Sequence, residues 1–403
     1  MKNIILFTVS YPYGSKEQFL ETEIRYLSQC FSKVIIIPTQ TDGKMRDIPE
    51  NVIVDRGFAE KSSTISFLIN SFLTVHLYKE LIEHPSVLLS LTKLSRLFAF
   101  TGKGVKLYKH LKKHYSPKNI FYSYWFNGSV FGCYLYNKHV HEIDFYTRVH
   151  GNDLYLEVNK GYLPLRPAVL SQINRIFSIS SNGKRYLIDH YDVDESKVRI
   201  SRLGTEDAQI STQMSEDPKL FSILSCSHLS PVKRIDMLAE ALSLVAKENP
   251  DINIQWVHIG GGKQYQHVKD LTSQLSIGNL KVELLGNLSN EAVFEHYKTH
   301  EIDLFVNVSS SEGIPVTFME AFSCSIPILA IDNGGVSEIV NSDNGVLLDH
   351  NSNSKEVASN ISYYVKNKNE LFAKKPMARR TWEKGYNADL NYISFCKELN
   401  EHD

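Results

Sequence analysis

Apolar runs rich in β-branched and aromatic residues alternate with amphipathic helical patterns from one end of the chain to the other. In the first half the runs read NIILFTVS, KVIIIPT, NIFYSYW, DFYTRVH, RIFSIS and VRISRL. In the second half they read FSILSCS, NIQWVHIG, KVELLG, DLFVNVS, IPILAID and GVLLD. The runs barely alternate apolar with polar positions, which is the pattern of strands buried on both faces of a parallel sheet. Helices between successive strands predict βαβ units. Residues 61–116 interrupt the rhythm as an all-helical insertion. The polar, aperiodic stretch GTEDAQISTQMSEDPKL separates the two sets and predicts a boundary near residues 205–218. The expected architecture is α/β, with two doubly wound domains facing each other across a cleft.

A chain of 403 residues has room for two such domains. Its overall charge is near zero, but residues 1–200 carry 26 basic and 18 acidic side chains against 18 and 27 in the remainder. The basic excess peaks in TGKGVKLYKHLKKHY, with Lys103, Lys106, Lys109, Lys112 and Lys113. This segment reads either as a solvated helix face or as a contact for an anionic membrane surface or acceptor. No nucleic-acid partner is expected. The five cysteines are scattered without metal-ligand spacing, which fits buried thiols in a reducing compartment. The opening MKNIILFTVSYPYG reads as a first strand rather than a signal peptide. No apolar run reaches eighteen residues, so no transmembrane helix is expected, although SFLINSFLTVHLY and SVLLSLTKLSRLFAF have the character of helices that lie on a bilayer.

Open α/β sheets bind ligands beyond the carboxyl ends of their strands, so the strand-to-helix loops carry the candidates. After the first strand, Gly14 permits close backbone approach, and Ser15 with Gln18 matches a capping box opening a helix. RVHGNDLY places His150, Gly151 and Asp153 at another strand end, where a histidine serves either a ligand or the structure. SCSHLSPVKRIDMLAEAL brings His228, Lys233 and Arg234 to the start of the second domain, cations that suit a diphosphate. WVHIGGGKQYQ lacks the glycine spacing of a dinucleotide fingerprint and the lysine spacing of a P-loop, and reads as a tight turn.

The most informative stretch is SSSEGIPVTFMEAFSCSIPILA, in which Glu312 and Glu320 lie eight positions apart. DLFVNVS predicts a strand, SSSEG its exit loop, and Pro315 the first turn of a helix. Glu312 then stands at the sheet edge, with Glu320 about 7.5 Å along the helix axis. Bare N–H groups at the helix start attract an anion, and the flanking carboxylates accept hydrogen bonds from hydroxyls. A sugar–diphosphate–ribose ligand presents those groups in that order.

Together these residues resemble glycosyltransferase family 4, whose members pair two Rossmann-like domains in the GT-B fold around a nucleotide-sugar. The resemblance spans essentially the whole chain and is strongest from Ser225 to Leu348. It rests on the acid–seven–acid motif at Glu312 and Glu320 and on NGGVSEIV, with Gly334, Gly335 and Glu338. It implies that Glu320 binds the ribose hydroxyls and that Glu312 lies beside the donor sugar. The backbone from Gly313 through Ile314 and Val316 would hold sugar and phosphate. Lys233 would meet the diphosphate together with His228 and Arg234, Gly14 a phosphate, and Gly286 the base. His150 would stand near the anomeric centre, and Asp153 falls on the acceptor side. The expected domains are residues 1–205 and 206–385, with 386–403 a helix returning to the first. One departure is that Ser227-His228 replaces the usual Gly-Arg.

The resemblance further implies retention of anomeric configuration, front-face displacement, and no metal or other cofactor. The expected substrates are a nucleotide-sugar donor, with uridine as base, and a glycan or lipid-linked acceptor in cell-surface polysaccharide or lipopolysaccharide assembly. The expected location is the cytoplasm, with peripheral attachment to the inner face of the plasma membrane through the basic helical insertion. A GT-B nucleotide-sugar epimerase and a non-catalytic nucleotide-sugar-binding protein are the alternatives.

Overall fold

A computed structural model describes residues 2–14, 16–60, 62–275 and 277–401. The chain forms two units, residues 1–203 with 390–403, and residues 204–389. In the first, seven strands are β1 (Asn3–Thr8), β2 (Lys33–Pro38), β3 (Val52–Val54), β4 (Ile120–Ser123), β5 (Phe145–Val149), β6 (Arg175–Ser178) and β7 (Val198–Ile200). They pair in the order β3-β2-β1-β4-β5-β6-β7, every neighbour parallel. In the second, β8 (Leu220–Cys226), β9 (Asn253–Ile259), β10 (Leu280–Gly286), β11 (Leu304–Asn307), β12 (Ile328–Ile331) and β13 (Gly345–Leu348) pair in the order β10-β9-β8-β11-β12-β13, also parallel throughout.

Parallel strands need helical crossovers, and those helices cover both faces of each sheet. The sequence pattern therefore maps onto the sheets strand by strand, with one omission. β3, a three-residue edge strand set between Asn51 and Asp55, has no counterpart among the apolar runs. In each unit the strand order reverses once, between β1 and β4 and between β8 and β11. At such a reversal the two exit loops diverge onto opposite faces and leave a crevice at the carboxyl edge.

The segment read as a linker is laced onto the second unit rather than free. Thr212 donates its amide to the Cys324 carbonyl at 3.0 Å and its hydroxyl to the Tyr297 carbonyl at 2.7 Å. Asp207 pairs with Arg379 at 2.7 Å. The final helix, Ala388–Asn400, buries Phe395, Cys396 and Leu399 in the core of the first unit. There Arg148 and Glu23, both fully buried, form an ion pair at 3.3 Å. Tyr122 completes the triad by donating to Glu23 and accepting from Arg148, each at 2.9 Å, and the Arg148 guanidinium lies 4.4 Å from the Phe395 ring centre. Burial alone pushes the Glu23 carboxyl up, and the facing guanidinium opposes that shift.

The helical insertion comprises Gly57–Glu60, Thr64–Ser71, Val75–Glu83, the short 3-10 turn Pro85–Leu89 and the long helix Leu91–His114. Its lysines split between two environments. Lys109, Lys112 and Lys113 are exposed, whereas the Lys106 ammonium stacks over Phe58 and Phe67, and burial lowers the Lys103 ammonium to about 8. Among the described residues no helix is long and apolar enough to cross a membrane.

Candidate active site

In the second unit the strand-order reversal brings the β8 and β11 exit loops side by side, and the sequence candidates converge there. The β11 loop carries Glu312, which accepts from Lys233 Nζ of the β8 loop at 2.6 Å and from Asn307 Nδ2 at 3.2 Å, both on Oε1. Pro315 then caps the helix Val316–Ser323 with φ −67° and ψ 130°, one position earlier than the sequence suggests. Among the described residues no side chain caps this helix; the Phe318 amide donates to the Pro315 carbonyl at 3.1 Å, while those of Val316 and Thr317 have no carbonyl a turn earlier to take them. Gly313 is exposed, Ile314 is buried as an apolar anchor, and Val316 is half-buried.

Glu320 sits five residues into that helix and is 8% exposed. Burial raises its carboxyl to about 7, opposed only by a hydrogen bond from Asn290 Nδ2 at 2.8 Å. Asn290 opens the helix that follows the β10 loop. Burial holds the neighbouring Cys226, Tyr297 and Cys324 in their neutral forms, so they add no further negative charge beside Glu320.

Arg234 does not reach outward as a second diphosphate cation. It takes a left-handed conformation, φ 49°, and its guanidinium donates to the Val308 carbonyl at 2.7 Å and the Ser309 carbonyl at 3.3 Å. That contact fastens the β8 loop to the β11 loop and thereby sets the position of Lys233 against Glu312. His228, by contrast, is exposed. Beside it, the glycine triplet lets the β8 and β9 loops touch: a Cβ on Gly260 would stand 1.9 Å from the Ser227 carbonyl oxygen. Gly286 accepts from the Gly260 amide at 2.8 Å, and the space where its Cβ would point is open.

Gly334, in the loop after β12, adopts φ +65°, and a Cβ there would lie 1.9 Å from the Glu312 carbonyl oxygen. Asn333 Nδ2 donates to the Ser309 carbonyl at 2.7 Å. The Gly-Gly segment therefore works as a close-packed buttress under the acidic loop. Asn290, Asn307 and Asn333 escape a sequence reading because asparagines at loop ends look like ordinary turn residues.

The first unit holds the remaining candidates around the reversal between β1 and β4. The Gly14 amide donates to the Lys44 carbonyl at 3.0 Å, so it is already engaged. Ser15 of the expected capping box lies outside the described residues, and the helix begins later, at Leu20, after Phe19. The loop's anion is internal. Glu17, buried with φ 55°, accepts from the amides of Val9 at 3.1 Å, Ser10 at 2.6 Å and Tyr11 at 2.7 Å, and from Trp125 Nε1. Three successive amides turned toward one carboxylate form an anion nest.

His150 follows β5 at the cap of the short helix Gly151–Leu154 and is buried at 7% exposure, packed against the rings of Trp125 at 4.3 Å and Tyr124 at 4.8 Å. Neither ring nitrogen has a hydrogen-bond partner among the described residues. Asp153 accepts from the His150 amide at 2.6 Å and the Phe126 amide at 2.8 Å, and so splices the β5 loop to the β4 loop. Among the described residues no three His, Cys, Asp or Glu side chains are grouped to hold a metal ion.

Comparison with known proteins adds to this geometry. The chain aligns along 98% of its length with a lipopolysaccharide outer core galactosyltransferase, WaaB, at TM-score 0.67 and 16% identity, covering 98% of that structure. It aligns along 99% with Anabaena Alr3699/HepE in complex with UDP, at TM-score 0.66 and 15% identity, covering all of that structure. The fold is GT-B. Residues 205–387, the second unit of the GT-B chain almost end to end, match the family described as glycosyl transferases group 1. Among curated proteins it is 29% identical over 166 residues to the O-antigen biosynthesis glycosyltransferase WbnH of Escherichia coli, 39% of this chain and 44% of that protein. The chain thus spans less than half the length of that relative.

Proposed function

We propose that this protein is a retaining glycosyltransferase of family 4 that moves a sugar from a UDP-sugar to a hydroxyl of a glycan or lipid-linked acceptor in cell-surface polysaccharide assembly. The observation that carries the reading is the arrangement at the β8–β11 reversal. An uncapped helix start lies between the Lys233–Glu312 pair and the buried acceptor Glu320. The group 1 family match and the WbnH relative support transfer of a sugar, and the UDP held by the HepE structure supports uridine.

In this reading the diphosphate lies on the amides at Val316 and Thr317, with Lys233 as its counter-charge. Lys233 leaves Glu312 partly free to orient the donor sugar. Glu320 accepts the ribose hydroxyls through the oxygen that Asn290 does not use. The acceptor hydroxyl attacks the anomeric carbon from the face the diphosphate leaves; its proton passes to the departing phosphate oxygen as the bond from the anomeric carbon to that oxygen breaks and the glycosidic bond forms. Charge developing on the departing phosphate meets donors already in place, the preorganised electrostatics that lowers such barriers. His150 is assigned to the anomeric centre by the family resemblance; its ring nitrogens make no hydrogen bond among the described residues, and Nδ1 lies 3.8 Å from Asp153 Oδ2. The reaction needs no metal in this reading. Five unpaired cysteines fit a reducing compartment, and we place the protein in the cytoplasm.

The test is thermal unfolding with UDP, GDP and ADP, each in the presence of EDTA, followed by transfer from the stabilising nucleotide's sugar. A nucleotide at about a hundred times its dissociation constant adds roughly 2.7 kcal/mol. A shift with UDP alone, abolished in Glu320→Ala and Lys233→Ala, is expected. Near-wild-type turnover in both variants would refute the assignment. Isomerised sugar from donor alone would point to an epimerase, and nucleotide binding without transfer to any acceptor would point to a binding protein.

A further inference from the structure

Eleven of the 21 exposed large hydrophobic side chains among the described residues fall between Ile65 and Leu91. Several stand almost fully in solvent, with Leu89 90%, Leu91 87%, Ile82 79% and Val75 74% exposed. So many exposed large apolar side chains within one short segment are a departure from the scattered single residues normal on a soluble surface. The helices bearing them are not frayed. Leu77, Val87 and Leu97 pack beneath them, and the buried Glu80 accepts from Tyr162 Oη at 3.0 Å and the Leu165 amide at 3.2 Å. Arg96 donates to the Asn159 carbonyl, and Gly102 packs directly on the Phe67 backbone. The apolar face is therefore a fixed surface built from three short helical segments and the start of a long one.

Its surroundings are cationic. From Thr64 to Tyr115 the chain carries eight lysines and arginines against two acids. Of those acids Glu80 is buried, and Glu83 pairs with Lys79 at 3.6 Å. Lys109, Lys112 and Lys113 remain exposed on the adjoining helix. A second copy of this chain docking on the same face would bring like charges together. An anionic bilayer offers the opposite: acyl chains for leucine and isoleucine, and phosphates for lysine.

We propose that the face built by Thr64–Ser71, Val75–Glu83, Pro85–Leu89 and the start of Leu91–His114 inserts into the interface of an anionic bilayer, with the lysines of the last helix on its headgroups. Helices of this kind lie in the plane of the interface and bind by apolar burial plus attraction to anionic lipid. This attachment goes beyond the transferase reading and does not depend on it.

The experiment is co-sedimentation of the full chain with vesicles of phosphatidylcholine alone and of phosphatidylcholine mixed with phosphatidylglycerol. It compares wild type with Ile82→Gln/Leu89→Gln/Leu91→Gln and with Lys112→Gln/Lys113→Gln. Wild type should bind the mixed vesicles more tightly. The apolar triple variant should lose on the order of a hundredfold in partitioning to both kinds of vesicle. The lysine variant should lose roughly thirtyfold, on mixed vesicles only. All three should unfold at similar temperatures and share one UDP-induced shift, which separates this test from the donor reading. Wild type that fails to bind vesicles while folded would overturn the proposal, as would a triple variant that binds as well as wild type. Concentration-dependent self-association without vesicle binding would overturn it in favour of a second copy.

Discussion

Replacing Glu320 by glutamine should make the protein more stable at alkaline pH while disabling nucleotide binding. Burial raises this carboxyl from about 4.5 to about 7, so the folded state resists its ionisation while the unfolded chain does not. Below the unfolded value both states are protonated and the site costs nothing. As pH rises from about 4.5 to about 7 the unfolded state ionises first, and stability falls across that window before levelling off. At roughly 1.4 kcal/mol per unit the cost reaches about 3 kcal/mol at about pH 8 and about 1 kcal/mol at about pH 5. Glutamine keeps an oxygen for the Asn290 donor and removes the charge. For a unit of this size each kcal/mol shifts the midpoint by about 2–4 °C, so the variant should melt several degrees above wild type near pH 8. The gap should shrink by more than half near pH 5. Differential scanning calorimetry at both values, with and without UDP, measures it. A variant that melts below wild type at pH 8, or a gap independent of pH, would refute the account of Glu320 as a strained, desolvated carboxylate. Asn290→Ala removes the opposing hydrogen bond and should extend the pH window of instability upward.

Three further outcomes are expected. His228→Arg, at the exposed position beside the glycine triplet, should tighten UDP binding by about tenfold through a charge-assisted contact to phosphate; unchanged affinity in isothermal titration would place His228 away from the diphosphate. Glu17→Gln cannot accept all the bonds of the β1 nest and should cost about 2–3 kcal/mol in chemical denaturation, with a change in Trp125 fluorescence. Glu23→Gln should cost about 3–5 kcal/mol by leaving Arg148 buried without its counter-charge, whereas Glu23→Leu with Arg148→Met should cost much less; equal losses would mean that the pair adds no more than packing volume.

The parallel sheets were legible because buried strands repeat a single apolar pattern; of the two three-residue edge strands, β7 was read within VRISRL and β3, set between Asn51 and Asp55, was not. Glu312, Glu320 and Lys233 were legible because helix start, proline and strand exit fix where such residues fall along the chain. What they bond to was not. Arg234 reads as a free cation, and only its left-handed backbone turns the guanidinium onto the Val308 and Ser309 carbonyls. The loop after β1 reads as a capping box of Ser15 and Gln18, and nothing in that pattern shows that Glu17 curls back into the amides of Val9 to Tyr11. Arg148 sits in a strand as its one charged residue, and its partner Glu23 lies 125 positions earlier. Local pattern carries no information about pairings at that separation.

The contact between Gly334 and the Glu312 carbonyl has a use of its own. With no side chain between them, the two loops are in direct backbone contact, so any displacement of the acidic loop on donor binding must pass to residue 334. An isotope label at the Gly334 amide would therefore read occupancy of the donor site from a residue that forms no side-chain bond to the ligand. It would do so in single turnovers, and for donor sugars whose transfer is too slow to detect as product.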